Sequence, residues 1–252
     1  MCDGTYSAPA NWVPSPEQCL ESDCFFYPDG ISLCRKDKHL SFKKTITKNT
    51  VLFRNEIDCD CTYVILSGLA VVYYYTETGE AVVCGIFGRG CTIGEIECFL
   101  SYKAPYMIKA LTPMITCQLP NDYLLKCSEH DLPLIKKVLS ASGNSMRVFV
   151  RHMWVMNAQR VEERVRRLLI VVANSGIETR DGVKTINLTH NDLAFLINTN
   201  RLSISRSLQK LAQEGFITKG RENIQIQDSP LIYPKEPNLF FDSTFVDQLQ
   251  LS

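Results

Sequence analysis

The sequence predicts an α+β chain built from three consecutive parts: an antiparallel β-roll of jelly-roll type, a long helix and a C-terminal winged helix-turn-helix. Three observations predict it. From Thr45 to about Asp122, short β-branched and aromatic runs alternate with glycine-bearing turns. From Asp131 to Asn174, apolar residues recur every three or four positions. From Thr189, two short helical patterns meet at an asparagine turn. With 252 residues, 45% of them hydrophobic, the chain can bury two cores of ordinary size. The expected division is an irregular segment 1–44, a roll 45–130, a helical region 131–174, a winged head 175–228 and a tail 229–252.

In the first segment Pro9, Pro14, Pro16 and Pro28 interrupt any helix of more than a few turns. Cys2, Cys19, Cys24 and Cys34 lie here, and four and nine residues separate the last three. Those gaps do not match the paired knuckles of a zinc ribbon. The chain has 11 cysteines, an odd count, and Cys59, Cys61, Cys84, Cys91, Cys98 and Cys117 stand in strand-like sequence. A secreted disulfide framework is therefore not expected, and most of these thiols read as small buried apolar groups.

The roll is read from Tyr63–Leu66, Ala70–Tyr75, Ala81–Phe87, Met107–Leu111 and Ile115–Leu119. Ser67-Gly68, Thr78-Gly79-Glu80 and Gly88-Arg89-Gly90 turn the chain between runs at regular intervals, the pattern of an antiparallel barrel or roll. Such an interior can hold one small ligand. In the helical region Leu139, Ser142, Met146, Phe149, Met153 and Met156 form a stripe kept over several turns, which suits packing on the same helix of a second subunit. Ser142 and Gly143 would let the two helices approach closely.

In the head, Thr189 and Asp192 have the spacing of a capping box. Asn198 stands where a tight turn needs a left-handed backbone, and Asn200 can cap the next helix. Ile204, Leu208 and Leu211 then make a buried stripe, so Arg201, Leu202, Ser205, Arg206 and Gln209 face outward. Gly215 ends the helix, and Lys219-Gly220-Arg221 before Ile224 and Ile226 reads as a hairpin wing. The formal net charge is zero, yet Arg201, Arg206, Lys210, Lys219 and Arg221 outnumber the acids between Asn200 and Asp228. A locally basic head on a neutral chain suits sequence-specific binding of double-stranded DNA, arginine being the usual partner of guanine.

Taken with the order of parts, the runs Val51-Leu52-Phe53, Tyr63-Val64-Ile65-Leu66-Ser67-Gly68 and Gly88-Arg89-Gly90 before Ile93-Gly94-Glu95-Ile96 resemble the effector domain of the CRP/FNR family of bacterial transcription regulators. The resemblance covers roughly Thr45 to Asp228. It implies a cyclic-nucleotide-binding-like roll, a homodimer, a palindromic promoter site, RNA polymerase as a partner, and base contacts from Arg201 and Arg206. Leu202 falls where the cyclic-AMP receptor protein carries a glutamate, and Ser203 and Lys219 are candidates for phosphate contacts.

Cyclic-nucleotide members hold the phosphate with a Gly-Glu-Leu turn and a later Arg-Ser or Arg-Thr pair. This chain has Gly94-Glu95-Ile96, but Pro105-Tyr106 stands near the place of the pair. The expected effector is therefore a small molecule other than cyclic AMP, bound between roll and dimer helix. The candidate lining is Cys84, Ile86, Ile93, Gly94, Glu95, Cys98, Tyr106, Ile108, Phe149 and Met153. No resident cofactor is expected. The alternative implied by the family's oxygen sensors is a [4Fe–4S] cluster on Cys19, Cys24, Cys34 and Cys117, whose first three are spaced more widely than those sensors' cysteines.

No apolar run approaches membrane-spanning length and the N-terminus lacks the order of a secretory signal, so a cytoplasmic protein without membrane partners is expected. His39, His130, His152 and His190 are scattered, and none stands beside a nucleophile in a strained turn, so an enzyme is not expected.

Overall fold

The computed structural model of the chain describes residues 42–53, 61–100, 105–128, 132–177, 179–220 and 223–227. The roll is made of two four-stranded antiparallel sheets. One holds β1 (Phe42–Ile46), β8 (Met114–Pro120), β3 (Cys61–Ser67) and β6 (Thr92–Ile93) in that order. The other holds β2 (Val51–Phe53), β7 (Met107–Ala110), β4 (Ala70–Tyr75) and β5 (Ala81–Phe87). Side chains from all eight strands meet between the sheets: Ile46, Phe53, Ile65, Val72, Phe87, Ile93, Ile108 and Met114 are buried in one cluster. Alternation assigns the faces. On β4, Ala70 and Val72 point into the roll, while Val71 and Tyr73 join a second cluster on its outer side.

β1 starts before the expected boundary. Lys43 and Lys44 hide the strand from any alternation pattern; the ladder from Phe42↔Gln118 to Ile46↔Met114 makes it one. Two short helices, α1 (Glu95–Leu100) and α2 (Asn121–Ser128), also interrupt the expected all-β stretch.

The region expected to be helical from Asp131 to Asn174 is two helices, α3 (Leu132–Met156) and α4 (Val161–Ala173). The break at residues 157–160 has a local cause. Arg160 is extended (φ −92, ψ 136) as the N-cap of α4, and Arg164 Nε donates to the Ala158 carbonyl at 2.8 Å. α3 has two apolar faces. Leu134, Val138, Ala141, Val148, His152 and Val155 are buried, whereas Leu132, Leu139, Met146 and Met153 are each 63–69% exposed.

α4 feeds the head, which contains β9 (Thr179–Arg180), β10 (Val183–Ile186), α5 (His190–Leu196), α6 (Arg201–Gln213), β11 (Thr218–Lys219) and β12 (Ile224–Gln227). The wing is a four-stranded sheet, β11-β12-β10-β9, larger than the hairpin expected because β9 and β10 add to it. Leu168, Leu169 and Val172 of α4 pack with Leu193, Leu196, Ile204, Leu208 and Leu211, and this core continues without a gap into Val71, Tyr73 and Ile86 of the roll. No helix among the described residues is long and apolar enough to cross a membrane.

Candidate functional site

The best-formed surface is the outward face of α6. Its approach is fixed by backbone chemistry. Thr189 Oγ1 accepts from the Asp192 amide at 3.1 Å and the Asp192 carboxylate accepts from the Thr189 amide at 2.8 Å, so both free donors at the start of α5 are satisfied. Asn198 takes φ +48, a conformation asparagine tolerates. Asn200 then caps α6, its side chain accepting from the Ser203 amide at 2.9 Å. Ile204, Leu208 and Leu211 are fully buried, and that rotation leaves Arg201, Leu202, Arg206 and Gln209 exposed and Ser203 and Ser205 half-buried.

One cation of the expected basic set has a different role. Lys210 Nζ lies 2.7 Å from Glu162 Oε2 on α4, so it ties α6 to the core helix. Its neighbour Glu214 pairs with Arg166, which also faces Glu163. Arg221 lies outside the described residues. Among the described residues of that set, Arg201, Arg206 and Lys219 of β11 stand exposed. Two of them, Arg201 and Lys219, lie near one another: the His190 imidazole is pushed below its ordinary value by burial and then by the positive charge of both.

In the roll, the structure brings Cys84, Ile93, Tyr106, Ile108 and Phe149 into the interior cluster. Tyr106 stacks on Phe53, ring centroids 6.0 Å apart, and its hydroxyl donates to Glu97. Glu97 is a neighbour the sequence reading missed. Gly94 takes φ +91 at the start of α1, and Glu95 beside it is buried. Burial raises the Glu95 carboxyl above the usual carboxylate range, opposed by its own amide and the hydroxyls of Thr92 and Ser145. Three candidates lie elsewhere. Ile86 faces the head side of its sheet, Cys98 sits under α3 with Val64 and Cys117, and Met153 points to solvent. Strand alternation and helix rotation explain all three.

Roll and head meet at a junction the sequence did not disclose. The Arg89 amide donates to the Ser175 carbonyl at 3.2 Å, and a Cβ on Gly88 would fall 1.7 Å from that same oxygen, so only glycine permits the approach. A cleft of about 70 Å³ beside it is lined by Gly88, Arg89, Cys91, Arg151, Asn174 and Ser175. Further out, Lys48 Nζ in the β1–β2 turn lies 2.5 Å from Asp192 Oδ2, the capping carboxylate of α5. Tyr73 packs edge-on to Phe195 at 5.7 Å, with Lys109 Nζ 4.7 Å from the Phe195 ring. His152 is buried on α3 against Val83, and burial pushes its pKa down to about 4. It is held as a neutral core residue.

Of the four cysteines weighed for a cluster, Cys19, Cys24 and Cys34 lie outside the described residues. Cys117 is buried in an apolar cluster with Val64, Leu119, Leu124 and Leu134. Among the described residues no three His, Cys, Asp or Glu side chains group as metal ligands.

Comparison with known proteins places this geometry. The cyclic nucleotide-binding domain family matches residues 43–131, and the Crp-like helix-turn-helix domain family matches residues 163–231. An "Anaerobic regulatory protein" of Bacillus subtilis is 27% identical over 219 residues, covering 81% of this chain and 84% of that protein. The "Transcriptional regulator SdrP" of Thermus thermophilus is 24% identical, over 67% of this chain and 80% of its own. Among solved structures, FixK2 from Bradyrhizobium japonicum shares the fold with a TM-score of 0.64 at 15% identity, over 76% of this chain and 94% of that one. A transcriptional regulator of the CRP/FNR family from Thermus thermophilus does so with 0.58 at 21%, over 76% and 96%.

The Lys48–Asp192 pair yields a pH prediction. Desolvation alone would raise the Asp192 carboxyl, but Lys48 and the two Thr189 bonds hold it below its ordinary value. A depressed carboxylate stabilises the fold above its unfolded pKa, and that contribution is lost as pH falls through the folded value. Lys48→Met should raise the Asp192 pKa in an NMR titration. It should also cost up to about 1 kcal/mol of stability at neutral pH, the deficit vanishing in acid.

Proposed function

Because the chain belongs to the CRP/FNR family of transcription regulators, we propose that it works as a homodimer that reads a palindromic promoter site through α6. A small molecule other than cyclic AMP, bound between the roll and α3, sets its activity, and RNA polymerase is the partner that the bound dimer meets. The observation that carries the DNA reading is the capped α6, whose outward face exposes Arg201 and Arg206, with Lys219 of β11 beside His190 together with Arg201. A helix presented this way enters a major groove N-terminus first.

Dimerisation is supported by α3. Leu132, Leu139, Met146 and Met153 are spaced seven residues apart and all stand exposed, the seam that a second α3 would cover. Two heads held on such a rod read half-sites a helical turn apart. Coupling to the effector is supported by the same helix. Phe149 reaches into the roll, 6.2 Å from Phe87, one turn before Met153 on the seam. A ligand that displaces Phe149 shifts the seam and thereby the spacing of the heads, a population shift between two dimer arrangements.

The apolar lining of the roll next to α3, with Ile93, Ile108 and Phe149, favours a neutral or apolar effector. Pro105-Tyr106 stands near the place where the cyclic-nucleotide members carry their arginine, and the nearby Glu95 carboxyl is buried and raised. An anionic phosphate there would lack its bidentate partner. A redox reading takes its support from the relatives named anaerobic regulatory proteins. Of the cysteines that reading needs, Cys19, Cys24 and Cys34 lie outside the described residues, and Cys117 is buried with Val64, Leu119 and Leu124. The switch proposed here is the pocket ligand, with the cluster as the alternative that metal analysis decides.

Arg206→Ala should cost about 1–3 kcal/mol on a duplex selected from a random pool and little on unselected DNA. Equal losses on both, read by titration at fixed salt, would remove Arg206 from base reading. Met146→Glu places a carboxylate on the seam, so light scattering should report a fall from twice the chain mass to the chain mass. Protein purified anaerobically should be colourless and free of iron; stoichiometric iron would replace the pocket by a cluster as the sensor.

A further inference from the structure

Resting on that reading, we propose that Leu202 recognises the methyl group of a thymine, so that each half-site demands thymine under the first turn of α6. Leu202, Ser205, Arg206 and Gln209 are spaced three, four and seven residues from the first, and form one outward stripe. Ser205, Arg206 and Gln209 can all exchange hydrogen bonds with base edges. Leu202 offers only methyl groups, and it stands 59% exposed in the middle of that polar face.

The helix does not need Leu202 for packing. Ile204, Leu208 and Leu211 are fully buried and complete the stripe that seats α6 on the core. The Asn200 cap fixes the first turn, so the leucine is presented in a set direction rather than on a frayed end. The N-terminal residues of a reading helix are those that approach the bases. On the major-groove edges of the four base pairs the thymine C5-methyl is the one apolar group. Leucine also selects against the alternative. Over a cytosine it would cover the N4 amino group without accepting from it, which leaves a desolvated donor unpaired. Attraction to one base and a penalty against another act at the same position.

The test uses the full chain and the best duplex selected from a random pool. Each thymine is replaced singly by deoxyuridine, which keeps every hydrogen-bonding group and removes only the methyl. One symmetry-related position should lose affinity by roughly fourfold per half-site, the value expected for one buried methyl. In Leu202→Ala, thymine and uracil at that position should bind alike. Leu202→Glu should move the preference there to cytosine, whose amino group a carboxylate accepts from. Leu202 is exposed, so neither variant threatens the fold. Absence of any uracil-sensitive position, or one whose sensitivity persists in Leu202→Ala, overturns the assignment while leaving DNA reading intact. Failure to select any duplex would remove DNA reading itself, and this assignment with it.

Discussion

The rotation of α6 about its own axis is the constraint on which the reading surface depends. Burial of Ile204, Leu208 and Leu211 against Leu168, Leu169 and Val172 of α4 fixes that rotation. Each fully buried leucine or isoleucine contributes about 1.5–3 kcal/mol, so turning the helix to present another face would forfeit most of its packing energy. The polar stripe therefore carries chemistry without carrying stability. That division leaves Leu202, Ser205, Arg206 and Gln209 free of any packing demand.

The same helix is also tied down by charge, and here magnitudes decide. Lys210–Glu162 and Arg166–Glu214 are largely solvent-facing pairs, each worth well under the apolar stripe. Their consequence is subtractive. By engaging Lys210 they leave, among the described residues of that set, Arg201 and Arg206 on the helix and Lys219 on β11 as exposed cations.

Roll and head touch through contacts of unlike stiffness. At Gly88 and Ser175 the backbones touch, and no side chain can be inserted without moving one of them. At Lys48–Asp192 and Lys109–Phe195 the contact is made by long side chains that can swing. α3 packs one face against the roll through Val148 and Phe149 and leaves Leu132, Leu139, Met146 and Met153 exposed on the other.

The head was legible from the sequence because its signals are local. A capping threonine, an asparagine that accepts a left-handed turn and an apolar period each act within a few residues, and the backbone obeys them wherever the segment sits. The runs Ala70–Tyr75 and Ala81–Phe87 were legible for the same reason. The interior of the roll was only half legible, since alternation marks Ile86 and Ile93 as buried without saying on which side of a sheet. The break at residues 157–160 left no pattern to read, because the apolar period persists through it. By itself, then, the sequence determined the elements, their order and the outward stripe of α6. Only the tertiary structure decided that Lys48 meets Asp192, that Gly88 must be glycine, and that Met153 faces away from the roll. Those facts join residues far apart in the chain, and their pairing depends on how whole sheets and helices stack, a quantity that no short window of residues contains.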